Sequence, residues 1–136
     1  MKHLLNTILR TLKCCSNFRY IDTQWGQLDA QPPAVAYPCC LVDIESVEYE
    51  QLAHLKQTAT CTISFTIGTS TLDNCPHEIF DLIEHLHCVI QGLSDKSFQP
   101  LQRTSLSHNS ASKDIDTYTI TYTTAYTVTP IKKAEN

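Results

Sequence analysis

The chain has 136 residues, 42% hydrophobic and 18% charged, which supplies one core and excludes both a disordered tail and a membrane-embedded bundle. Ten Lys and Arg are scattered against fourteen Asp and Glu, a formal charge of -4, and no basic stripe of the kind that grips phosphate backbones is present. The expectation is a single soluble, intracellular α+β domain over residues 1–130, followed by a short polar tail at 131–136.

Leu4, Leu5, Ile8, Leu9 and Leu12 recur at three- and four-residue intervals, which predicts an amphipathic helix over 2–14. Asn6, Thr7 and Arg10 interrupt the continuous apolar run that a signal peptide would need, so the segment does not read as one. No apolar run approaches the roughly 20 residues of a membrane span. Residues 18–24 mix aromatic and β-branched side chains and suggest a short extended piece, and Gly26 and Gln31-Pro32-Pro33 then mark a loop. Residues 35–50 read as a long strand that Pro38 places near an edge or a bulge, because proline cannot donate to a ladder. A polar turn is expected at 51–57.

The clearest pattern follows. Ala59, Cys61, Ile63, Phe65 and Ile67 alternate with Thr58, Thr60, Thr62, Ser64 and Thr66, a strict period of two that predicts a strand with one apolar and one hydroxylated face. After Gly68 and a Ser/Thr loop, Asp73 or Asn74 can cap a helix over about 76–92, with Pro76 and Glu78 in its first turn. Ile79, Leu82, Ile83, Leu86, Val89, Ile90 and Leu93 form its apolar face and Gly92 ends it. Phe98, Leu101 and Leu106 suggest a fourth strand, followed by a loop over 108–114. In the last strand Tyr118, Ile120, Tyr122, Tyr126 and Val128 oppose Thr117, Thr119, Thr121, Thr123, Thr127 and Thr129, and Pro130 stops it. The expected architecture is a two-layer sandwich: a mainly antiparallel four-stranded sheet with the N-terminal and main helices on one face.

Candidate chemistry is sparse. Seven cysteines, with vicinal pairs at Cys14-Cys15 and Cys39-Cys40 and singles at Cys61, Cys75 and Cys88, fit neither a disulfide framework nor a zinc knuckle and read as reduced, small apolar residues. Asp81, His85 and Cys88 fall at i, i+4 and i+7 and could supply three metal ligands. That stripe borders the apolar face, where Cys88 would pack, so core packing is the preferred reading. Glu84 and His87 could form a general-base pair but are equally explained by a solvated helix surface. His54 and His108 fall in expected turns without local partners, and His3 faces water. With three glycines no phosphate-cradling loop is possible, and no Lys, Arg or helix N-terminus stands beside Cys39 or Cys40 to activate a thiol. No catalytic, cofactor or metal residue is therefore assigned. The nearly uncharged Thr rows suit either a solvated face or contact with neighbouring subunits.

Phe18-x-Tyr20-Ile21-Asp22, then Gly26-Gln27-Leu28, then Pro33-Ala34-Val35-Ala36-x-Pro38-Cys39-x-Leu41-Val42-Asp43-Ile44 resembles the small tail-terminator and tail-completion (head-tail joining) proteins of tailed bacteriophages and prophages. In that family an N-terminal helix leads through a loop to a P-x-V-x-x-P strand. The Gln57-led alternating strand, the Phe80-Asp81-Leu82-Ile83 helix, the Arg103 segment and the Tyr-rich last strand agree with it, whereas the cysteine load and crowded Thr lie outside the pattern. The resemblance implies a non-enzymatic virion component without cofactor, assembled in the host bacterial cytoplasm. Its subunits would form a ring, commonly hexameric, at the head-proximal end of the tail. That ring would contact tail-tube and neck proteins and let DNA pass through its lumen unbound. The alternatives are a small cytoplasmic metal- or ligand-binding domain using Asp81, His85 and Cys88, and a thiol enzyme at Cys39 or Cys40.

Overall fold

The computed structural model describes residues 1–15, 17–30, 35–70, 78–109 and 115–129. In chain order these form helix α1 (Lys2–Cys15), strand β1 (Tyr20–Thr23), a 3-10 turn (Gln27–Asp29), β2 (Cys39–Ala53), β3 (Lys56–Ser70), α2 (Glu78–Ile90), β4 (Gln102–Asn109) and β5 (Ile115–Val128). The expected caps Asp73 and Asn74, Pro76, the Pro32-Pro33 loop, Pro130 and the tail at 131–136 lie outside the described residues. The chain is α+β, with two helices and an open five-stranded sheet in the order β1-β2-β3-β5-β4.

The alternation in β3 dictates the layering. Cys61, Ile63, Phe65 and Ile67 share one buried cluster with Cys40 and Val42 of β2, Ile120 and Tyr122 of β5, Leu4, Ile8 and Leu12 of α1, and the apolar face of α2. Both helices therefore cover the same face of the sheet, as their three-to-four residue periodicity requires. Phe65 and Tyr122 meet edge to face with ring centroids 5.4 Å apart. Burying side chains of this size contributes about 1.5–3 kcal/mol each. Gly92, at φ +80°, turns the chain out of α2 as expected, and its N–H donates to the Leu101 carbonyl at 2.8 Å.

Three details depart from the sequence expectation. The sheet has five strands and not four, because the 18–24 segment contributes β1, and β1 pairs with β2 in parallel from Tyr20↔Cys39 to Thr23↔Val42. A parallel neighbour needs a crossover, and the connection that supplies it carries the 3-10 turn. The long strand begins at Cys39 rather than Val35, directly after the residue that cannot donate, and extends through the expected polar turn to Ala53. The β2–β3 reversal is confined to His54 and Leu55, the latter at φ 62°. Finally, Phe98 and Leu101 precede β4 instead of belonging to it. Both are buried there, while the strand itself is exposed along its length. Two hydrogen bonds hold that connector to β5: Thr124 Oγ1 donates to the Gln99 carbonyl at 2.6 Å, and the Gln99 N–H donates to the Ala125 carbonyl at 2.9 Å.

The β1–β2 connection also packs on the helix-free side. Gln27 is fully buried, its amide nitrogen donating to the Thr23 carbonyl at 2.7 Å and its Oε1 accepting from the Trp25 N–H at 2.8 Å. Leu28 and Tyr37 lie against Gly68, where an added Cβ would stand 2.9 Å from Cys39 Sγ, 3.7 Å from Leu28 and 3.8 Å from Tyr37. Cys39 has no exposed surface into which its sulfur could retreat. The Gly68→Ala variant should therefore lose about 1–3 kcal/mol of stability through overpacking. Urea denaturation followed by circular dichroism measures this; an unchanged midpoint would show that the crossover does not press on β3.

Candidate functional site

The helix-free face is built from cross-strand rows fixed by the register. Ser46, Thr62, Thr123 and Gln102 form one row, Asp43, Ser64, Thr121 and Ser105 the next, and Leu41, Thr66, Thr119 and Ser107 a third. Since side chains alternate along each strand, every member of a row points to the same side. The result is a plane of hydroxyls running across β3, β5 and β4. Some hydroxyls and amides are used locally: Asn109 Nδ2 donates to Thr119 Oγ1 at 2.6 Å, and Thr117 Oγ1 to the Asn109 carbonyl at 3.2 Å. Carboxylates on this face gather on the β1–β2 side, where Asp22 shares the orientation of Leu41, and Asp43, Glu48 and Glu50 share that of Ser64, Thr60 and Thr58; Lys56, at the start of β3, alternates onto the same side.

Both flanks of the sheet present unpaired backbone among the described residues. β1 stops pairing at Val42, whose carbonyl accepts from the Gln24 N–H at 2.9 Å, so β2 beyond that point has β3 on one side only. On the opposite flank β4 pairs with β5 alone, apart from the Arg103 N–H, which donates to Gln91 Oε1 at 3.0 Å. Apolar side chains stand exposed beside both flanks: Tyr49, Leu52 and Leu55 on the β2–β3 hairpin, and Leu106 of β4 with Phe80 of α2 on the other side. Phe80 packs edge-on against Tyr118 at 5.8 Å, and His108 stacks on the same ring at 4.3 Å.

The weighed histidines acquire structural partners. His87 is not a solvated surface residue: its Nδ1 lies 2.9 Å from the hydroxyl of Tyr122, which burial pushes up to about 12. His108 lies within β4 and not in a loop, bonded through Nε2 to Asp116. His3 Nε2 holds Asp95 at 2.6 Å, fastening the start of α1 to the connector after α2, and this hydrogen bond keeps the Asp95 carboxyl below the usual range. Sequence patterning missed these pairs because each joins residues from different elements.

On α2, Asp81 and Cys88 are exposed and His85 is half-buried, so Cys88 does not pack on the apolar face as expected. No three His, Cys, Asp or Glu side chains gather as a metal site among the described residues. Cys39, Cys40 and Cys61 are buried and unbridged. Burial raises Cys39 to about 11, partly offset by backbone hydrogen bonds at Gly68 and Cys39, and raises Cys40 and Cys61 as well. A groove of about 390 Å³ between the 94–100 connector and the end of β5 is lined by Asp95, Lys96, Phe98 and Tyr126, among others. No helix among the described residues is long and apolar enough to cross a membrane.

Comparison with known proteins adds no assignment: no protein-family description matches the chain, and no curated protein is significantly similar to it. The thiol environments have a direct consequence. A raised pKa leaves Cys39, Cys40 and Cys61 protonated at neutral pH, and the thiolate is the reactive form. Brief iodoacetamide treatment of the native protein at pH 7.5, read by peptide mass spectrometry, should label exposed Cys14 and Cys88 and spare those three. Rapid labelling of Cys39 or Cys40 would overturn this description of the site.

Proposed function

We propose that the chain is a structural subunit that works by shape and self-association, forming a ring at the head-proximal end of a phage tail as a tail-terminator or tail-completion protein. The observation that carries the reading is the sheet itself: a broad hydroxylated face with few charges, bounded by two flanks that no other strand among the described residues covers. A solvated sheet face is ordinarily dotted with Lys and Glu, which the rows of β5 and the open side of β4 lack. The resemblance of residues 18–44 to the tail-terminator family supplies the assembly in which such a subunit would serve. The finer architecture implied is a helix layer backing a sheet layer, with the sheet presented to neighbouring copies. The net charge of -4 suits a lumen that must pass DNA without retaining it, since like charge keeps phosphate from adhering.

Native mass spectrometry and negative-stain electron microscopy of the purified protein, alone and with tail-tube protein, test the proposal. The expected outcome is a closed ring of identical subunits, hexameric in the family's usual form, which caps tube ends and halts their growth. A monomer at high concentration that also fails to form rings when tubes are added would refute it.

A further inference from the structure

We infer that copies of this chain join head to tail by strand addition, the free flank of β4 of one copy pairing with the free flank of β2, residues 43–53, of the next. The inference rests on the self-association reading and adds to it the surface, the polarity and the pairing partner.

Four observations support this pairing. First, β4 is an eight-residue edge strand without Lys or Pro, and beyond Arg103 the stretch Thr104–Asn109 carries no Lys, Arg, Asp or Glu to keep a second strand from docking. Its one irregularity is a bulge between Arg103 and Ser105. Second, the β2 flank beyond Val42 is long enough to receive all of β4.

Third, the two flanks differ in charge, although not on one face: Asp43, Glu48 and Glu50 point to the open side, whereas Arg103 and His108, opposite Tyr122 and Tyr118, point to the helix side. Residues 43–53 carry Asp43, Glu45, Glu48 and Glu50 and no Lys or Arg, whereas Gln102–Asn109 carries Arg103 and His108 and no carboxylate. Two β2 flanks facing each other would oppose like charges at close spacing, which destabilises a pair. A β4 flank offers no such repulsion. Fourth, apolar side chains accompany both flanks on the helix side. Leu106 pairs with Ile120, and Tyr49 with Ala59, so both point toward the side occupied by the core. Joining the flanks would draw exposed Leu106, Phe80 and Tyr49 out of water together.

A heterologous contact of this kind uses two different surfaces of one chain, so it propagates until it closes. Each junction would extend the hydroxyl rows from one copy into the next. On that shared face Ser105 and Ser107 would approach Glu48 and Glu50, which have the same orientation.

The test is a charge exchange followed by native mass spectrometry and light scattering. Ser105→Glu with Ser107→Glu places carboxylates on the β4 flank and should raise the concentration for half-assembly by about ten-fold or more at each junction. Adding Glu48→Lys and Glu50→Lys to that variant should restore assembly. All four positions are exposed, so circular dichroism should show an unchanged fold. Hydrogen exchange of the wild-type assembly provides a readout independent of any variant: amides in both 43–53 and 102–109 should be protected relative to a dilute monomer. Assembly unaffected by the Glu pair, or protection missing from either flank, overturns head-to-tail pairing while leaving self-association intact. Disruption that the Lys pair cannot repair points to a two-fold β4–β4 contact and equally overturns it. A wild-type protein that stays monomeric at high concentration removes the self-association reading and this junction together.

Discussion

The structure depends on β3. It pairs with β2 from Cys39↔Gly68 to Ala53↔Lys56 and with β5 from Gln57↔Val128 to Ser70↔Ile115, so its period-two pattern imposes an inside and an outside on both neighbours. A slip of one residue would send Ile63 and Phe65 to the hydroxyl side and bring Thr62 and Ser64 under the helices. Burial of Phe65 against Tyr122 and the two helices makes that slip costly, and in this way fixes which residues form the open face. The outer rows of Thr and Ser are consequently as well determined as the core: Ser64 and Thr66 of β3 are buried, and the rows become exposed only toward β4.

Much of this was legible in the sequence wherever a periodic pattern ran long enough to name a face. The helix periodicity gave α1 nearly to its ends, the alternation of 58–67 gave the heart of β3, and the Tyr/Thr alternation gave β5. What escaped was set by contacts between elements. β1 is four residues long and is a strand only because the crossover returns β2 alongside it. Phe98 and Leu101 have the apolarity of strand residues but lie in a connector, because Thr124 and the backbone of β5 hold that connector against the core. The most polar strand, β4, has all eight residues exposed, so no apolar pattern announced its limits.

The candidate site was legible in a different sense. The Thr rows marked out one side of the sheet, but one-dimensional spacing could not show that the acidic residues of that side gather on β1 and β2. Nor could it show that His87, His108 and His3 are each bonded to a residue on another element. The Asp81, His85 and Cys88 stripe illustrates the opposite error: helical spacing brings residues onto a common side of a helix, yet coordination needs convergence, which a convex helix surface does not provide. Similarly, the vicinal Cys39-Cys40 pair invites a redox reading until burial is considered. Cys39 lies under Leu28 and Tyr37 on the helix-free side, while Cys40 belongs to the helix-covered core. Alternation along the strand thus sends the two neighbouring sulfurs to opposite faces.

An open sheet has two ends, and this one ends asymmetrically. If both flanks were neutral, identical edges could pair with each other and the sheet would close as a two-fold dimer, leaving nothing to propagate. If both were acidic, neither could accept a neighbour. Confining carboxylates to β2 while leaving β4 nearly neutral removes one of the two like-with-like contacts and leaves the unlike contact favourable. Specificity then comes from what each edge rejects as much as from what it attracts. The same division leaves the hydroxyl rows of β3, β5 and β4 from Thr58 onward without fixed charge, so those rows could lie against a neighbour without an ionic group requiring a partner. A sequence poor in lysine along its edges would ordinarily be exposed to indiscriminate aggregation. In the proposed assembly the acidic β2 flank would restrict which edges can meet, and the direction of that restriction would turn an adhesive sheet into an ordered, polar series of subunits.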